Sequence, residues 1–129
     1  MKKYNVGIIG YGWAATAHIP AINATSLGQV TAVYSSRPLD AAELSAQYGS
    51  DIAVYHNLDA MLANPGIHAV SICSYPAQHA AQAIRAAKAG KHLILEKPLC
   101  LSAKDLRPLQ KAVKQARVKT CVCFELRFS

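Results

Sequence analysis

Val6-Gly7-Ile8-Ile9-Gly10-Tyr11-Gly12-Trp13-Ala14-Ala15 is the stretch on which the fold turns. An aliphatic run of strand type ends at Gly10, and a helix-type segment opens at Trp13. Between them stands Gly-x-Gly-x-x-Ala, a spacing in which each small residue has its own job. Gly10 permits a tight turn, Gly12 lets backbone approach a pyrophosphate, and Ala15 lets the helix pack on the strand. The first-turn N–H groups then offer phosphates the positive end of the helix dipole. Glycines also mark ordinary turns, so the motif draws its weight from the strand before it and the helix after it. Trp13 has two readings, a cover over a bound dinucleotide or a core filler.

Working outward, β-type and helix-type runs alternate along the whole chain. Tyr4 to Gly10, Val30 to Ser35, Ile52 to Tyr55, Ala69 to Cys73, His92 to Leu95 and Thr120 to Phe124 read as strands. Trp13 to Ala24, Leu39 to Tyr48, Leu58 to Ala63, Pro76 to Ala89 and Ala103 to Ala116 read as helices. Pro76 suits a first helical position, Gly90 suits the end of the same helix, and Ser102 with Asp105 has capping-box spacing. Pro108, one turn inside the last helix, should bend it. This order predicts an α/β fold: a doubly wound parallel sheet of the Rossmann type, about six strands with helices on both faces.

Bulk composition agrees. The 129 residues fit one domain, and 52% hydrophobic content against 16% charged suits strands buried on both faces. No apolar stretch approaches the ~18 residues of a membrane helix. The basic start at Met1-Lys2-Lys3 resembles a signal peptide only superficially, because the glycines at 7, 10 and 12 belong to the loop; the expectation is a cytoplasmic protein. Cys73, Cys100, Cys121 and Cys123 contain no Cys-x-x-Cys pair, so buried reduced thiols rather than a metal are expected. The net charge of +7 is unevenly placed, −1 over residues 1–84 and +8 over residues 85–129. Lys104, Arg107, Lys111 and Lys114 share one face of the last helix, opposite Leu106, Leu109, Val113 and Ala116. Without interleaved aromatics this stripe reads as a solvated surface and not as a nucleic-acid platform.

A Rossmann sheet commonly carries an acidic residue about 20 positions after the loop, to hold a ribose 2′-hydroxyl. Here the second strand ends in Tyr34-Ser35-Ser36-Arg37-Pro38, with no carboxylate before Asp40. Serines beside an arginine suit a 2′-phosphate, which predicts NADP in preference to NAD. The alternative is that Ser36 caps the next helix and Arg37 faces water.

The most specific stretch is Ala89-Gly90-Lys91-His92-Leu93-Ile94-Leu95-Glu96-Lys97-Pro98-Leu99. A buried strand ends in Glu-Lys-Pro, which places Lys97 at the carboxyl edge of the sheet, where open α/β sheets bind ligands. An ordinary exposed Glu96–Lys97 ion pair is the plainer alternative. With Val6 to Gly12, His18-Ile19-Pro20-Ala21, Pro76 and His79, this stretch resembles the glucose–fructose oxidoreductase, inositol dehydrogenase and MocA-like family over about residues 4–99.

The resemblance implies a dinucleotide-binding domain followed by a larger α/β domain. It implies NAD(P)-dependent hydride transfer at a hydroxyl or carbonyl carbon of a sugar, polyol or related substrate. It makes Lys97 the catalytic or substrate-binding lysine, with a cis bond at Lys97–Pro98. It assigns the cofactor to Gly10, Tyr11, Gly12, Trp13, Ala14, Ser35, Ser36, Arg37, Ser74, Tyr75, Pro76, His79, Glu96 and Lys97. The family's Thr-Pro-Asn is replaced by Tyr75-Pro76-Ala77, so no asparagine hydrogen bond to the cofactor is carried over there, and His79 reads equally as a packing residue. Acid–base groups of the second domain have no counterpart in these 129 residues, so binding without turnover is expected, with self-association through surface that domain would cover. A non-catalytic dinucleotide sensor of the same fold is the rival reading.

Overall fold

In the computed structural model, residues 3–124 are described; Met1, Lys2 and the end at Phe128-Ser129 lie outside the described residues. Strands β1 (Tyr4–Ile9), β2 (Gly28–Tyr34), β3 (Ala53–Tyr55), β4 (Ala69–Ile72), β5 (His92–Glu96) and β6 (Thr120–Cys123) alternate with helices α1 (Trp13–Asn23), α2 (Ala41–Tyr48), α3 (Leu58–Leu62), α4 (Pro76–Lys88) and α5 (Ala103–Ala116). They form one six-stranded sheet in the order β3-β2-β1-β4-β5-β6. Every pairing is parallel. The winding reverses between β1 and β4, and a crevice opens there beyond the carboxyl ends of the strands.

Both faces of the sheet are packed. On one, Ile9, Met61, Val70, Ile72, Leu93, Leu95 and Leu109 join the alanines of α4. On the other, Ile8, Ala15, Ile19, Val33 and Leu44 form a second core under α1 and α2. Alanine at 83, 86 and 87 leaves α4 a narrow buried face, so the helix lies close to the strands. Among the described residues no helix is long and apolar enough to cross a membrane.

The caps explain where elements start and stop. Asp40, not Ser36, caps α2, accepting from Ala42 N at 2.9 Å and Glu43 N at 3.2 Å, so that helix begins at Ala41 instead of Leu39. Gly90, at φ +80°, closes α4 through Lys91 N to Ala86 O and Gly90 N to Ala87 O. The expected capping box of α5 does not form: Ser102 is its N-cap residue, but no side-chain cap bond is made. A capping box needs the longer Glu or Gln at the position of Asp105 to reach back. Pro108 lies inside α5, which runs on to Ala116. The basic residues of α5 are exposed while Leu109 and Ala112 are buried.

The cysteines depart from expectation. Only Cys73 is buried; Cys100 and Cys123 are half-buried and Cys121 is exposed. For Cys121 and Cys123 the cause lies in the topology, since β6 is an edge strand paired on one side only, while Cys100 lies in the connection between β5 and α5. No group of residues able to hold a metal ion occurs among the described residues.

Candidate dinucleotide-binding site

An open cleft of about 750 Å³ lies over the crevice between β1 and β4. Its floor is the loop between β1 and α1. Gly10 has φ +90°, and a Cβ there would stand 2.8 Å from the Ser74 Cα, so the residue is held to glycine by both conformation and contact. Gly12 differs: its backbone is extended, and a Cβ would meet nothing within 4 Å. Nothing inside the protein requires glycine there, and the space it leaves open is the cleft. Gly12 is also the N-cap of α1, with no side-chain cap and no acidic residue in the first turn. The N–H groups of that turn are therefore available to an anion.

The end of β2 forms a second wall. The guanidinium of Arg37 donates to the Tyr11 carbonyl and lies 5.9 Å from the centre of the Tyr11 ring. Ser35 is buried, and its Oγ accepts from Arg37 N at 3.0 Å. Tyr11 is fixed in turn by a 2.7 Å hydroxyl contact with Tyr48 at the end of α2. Burial, then this contact with Tyr11, pushes the Tyr48 phenol up to about 12. Sequence reasoning did not find Tyr48, because tyrosine in an amphipathic helix reads as core. Among the described residues no carboxylate lines the cleft.

Of the residues expected to serve the cofactor, Gly10, Tyr11, Gly12, Trp13, Ser35, Ser36, Arg37, Ser74, Tyr75 and Pro76 line this one cleft, with Thr16, Tyr34, Cys73, Gln78 and Gln82 in addition. Trp13 is 85% exposed and Tyr75 80%, so neither fills the core. Ala14 instead packs into the core under α1. His79 is buried beneath the cleft, both ring nitrogens 2.7 Å from carbonyl oxygens, those of Ser74 and Pro98. Its position, buried and outside the lining of the cleft, suits the packing role. Cys73 lies just past the end of β4, its thiol pushed up to about 12 chiefly by burial, with Glu96 and Cys123 adding and a Ser71 hydrogen bond opposing.

Glu96 and Lys97 stand at the carboxyl end of β5, outside the lining of that cleft. Lys97 is exposed and its bond to Pro98 is cis. Glu96 does not pair with Lys97 but with His18 of α1, Oε1 to Nε2 at 2.6 Å, and His18 Nδ1 lies 2.7 Å from the fully buried Ser71 Oγ. A dinucleotide fits these walls: glycine backbone and free helix N–H groups for its phosphates, an arginine at the ribose end, and an open carboxyl edge for its reactive ring.

The family model for the oxidoreductase family with an NAD-binding Rossmann fold (GFO/IDH/MocA) matches residues 4–124. The chain belongs to this oxidoreductase family. An uncharacterized oxidoreductase of Synechocystis is 37% identical over 124 residues, 95% of this chain and 33% of that protein. An inositol 2-dehydrogenase of Rhizobium meliloti is 32% identical over 122 residues, 95% of this chain and 36% of that protein. A 3-ketoreductase from Actinomadura kijaniata, solved with NADP and TDP-benzene, superposes with a TM-score of 0.84 at 27% identity, over 95% of this chain and 38% of that one. The chain thus spans about a third of the curated relatives' length. As in the rest of this oxidoreductase family, the Rossmann sheet is the NAD-binding part.

Proposed function

We propose that this chain is the cofactor-holding part of an NADP-preferring oxidoreductase, which moves hydride between nicotinamide and a hydroxyl-bearing or carbonyl carbon of a sugar, polyol or related small molecule. The observation that carries the cofactor preference is Arg37 beside a cleft that, among the described residues, no carboxylate lines. A ribose 2′-hydroxyl asks for an acidic acceptor, whereas a 2′-phosphate asks for donors and positive charge. Arg37 uses one N–H on the Tyr11 carbonyl and keeps its other donors for a ligand.

The nicotinamide, when bound, supplies the hydride acceptor or donor. Lys97 donates a hydrogen bond to the substrate oxygen and stabilises the negative charge that grows there as hydride leaves carbon. The hydroxyl proton passes to a base on the second, substrate-binding domain that the family resemblance implies. The chain alone therefore binds dinucleotide without turning over a substrate; oxidation of any polyol by it would contradict this division. Cytoplasmic location, indifference to nucleic acid and self-association through surface that a second domain would cover belong to the same reading. A monomeric mass at high concentration counts against the last of these.

Parallel titration with NADPH and NADH, followed by Trp13 fluorescence or calorimetry, tests the core of the proposal. NADPH binds more tightly, and Arg37→Ala weakens it about tenfold while changing NADH less than about twofold, the loss of one charge-assisted phosphate contact. Equal losses for both would remove the 2′-phosphate role of Arg37.

A further inference from the structure

The environment of Glu96 reaches beyond cofactor binding. Its side chain and that of His18 are 14% and 13% exposed and meet at 2.6 Å, while Lys97, the next residue, points to solvent at the carboxyl edge. Three elements converge: His18 from α1, Ser71 from β4 and Glu96 from β5. The ring lies between the Ser71 hydroxyl on Nδ1 and the Glu96 carboxylate on Nε2, so both its nitrogens have partners. A carboxylate this far from water pays a large desolvation cost without such a partner, so Glu96 is held where the ring is. Lys97 leaves the chain directly after Glu96, past the end of β5, so the backbone from which it departs is held at Glu96 by His18. Beyond the lysine, the Pro98 carbonyl faces His79 Nδ1 at 2.7 Å, so the turn is tied to a second helix.

We propose that His18, acting through Glu96, is a positioning residue for Lys97 in hydride transfer. This rests on the reading that Lys97 meets the substrate at this edge. The ring lies outside the lining of the cleft and acts by fixing the direction of the amine. Such supporting bonds matter because a small displacement of a reacting group costs rate out of proportion to its size.

The test uses the full chain and a competitive acylation with the N-hydroxysuccinimide ester of acetate, read by peptide mass spectrometry as the ratio of labelling at Lys97 to that at Lys104. Lys104, exposed on α5, is the internal reference. His18→Leu removes the donor, whereas His18→Gln offers Glu96 an amide N–H. Leucine shifts the ratio about threefold to tenfold, the range of one hydrogen bond, and glutamine returns it to within about twofold. Saturating NADPH protects Lys97 in the wild type and in His18→Gln but not in His18→Leu. If His18→Leu proves unfolded by circular dichroism, Glu96→Leu, which breaks the same bond from the other side, supplies the measurement. An unchanged ratio, or equal shifts with leucine and glutamine, would overturn the proposal, the second outcome reducing His18 to packing. Failure of the wild type to bind either dinucleotide would overturn the proposed function instead, and the ratio without cofactor would still decide the positioning role.

Discussion

The two ends of the candidate site are built on opposite plans. The phosphate end, from Gly10 to Ala15 with Arg37, is made of backbone, small residues and one exposed cation, and nearly all of it comes from one short stretch of chain. The lysine end is made of side chains buried on separate elements: His18 and Glu96 are 78 residues apart, and His18 and Ser71 53 apart. A pyrophosphate needs space and N–H groups, which a turn followed by a helix supplies locally. A reacting amine needs a fixed direction, which only packing and long-range hydrogen bonds impose. Binding is therefore a local property of this fold, and orientation is a property of the assembled sheet.

Substitutions can break this contrast. The largest effect is expected at Gly12→Val. The extended backbone and the open space around the missing Cβ leave folding intact, but the isopropyl group enters the cleft. NADPH affinity falls by about a hundredfold or more, the size of a lost phosphate cradle, while the thermal midpoint falls by no more than about 5 °C, the cost of valine at a helix N-cap. A normal dissociation constant would show that the phosphates lie elsewhere. Next comes Gly10→Ala, two residues away and opposite in character. At φ +90°, with a Cβ 2.8 Å from Ser74 Cα, it loses about 1–3 kcal/mol of stability, measured by denaturant unfolding. If Gly12→Val destabilises more than Gly10→Ala, the assignment of one glycine to ligand and the other to fold is reversed.

A smaller effect sharpens the contrast from the buried side. The Cys73 thiol is held at about 12 against an ordinary 9.0, and Tyr48 at about 12 against 10.0. For both, the folded chain keeps its proton after the unfolded chain has lost it. The stability this contributes is present in full below the ordinary values and is lost as pH rises through about 12. The denaturant midpoint thus falls progressively above about pH 9, and Cys73→Ala makes the decline shallower by removing the thiol's share. An equally steep decline in that variant would place the alkaline sensitivity outside the floor of the cleft.

The same division explains what could be read from the sequence. Element order and sheet type were legible because hydrophobic runs and turn residues are local signals: Gly90 after α4, Pro76 at its start, small residues around the first turn. The walls of the cleft followed, since Gly12, Ser36 and Arg37 sit at strand ends whose place in a doubly wound sheet is fixed. Boundaries slipped where a competing cap stood nearby, as at Asp40. β2 also began earlier than expected, at Gly28, because that glycine is in register with Tyr4. The contacts Tyr11 to Tyr48, His18 to Glu96 and His79 to Pro98 were not legible, because no spacing rule links residues from different crossovers.

β5 is flanked by two lysines with contrary lives. Lys91, just before the strand, is buried with its ammonium on the carbonyls of Asn64 and Ile67, and burial lowers its pKa. Lys97, just after the strand, stands in the open. One amine braces the far rim of the sheet, while the other stands free of it. A single rod thus carries its anchorage at one tip and an open amine at the other. The open tip can be recut, by design or by drift, while the joint that keeps the sheet upright stays untouched.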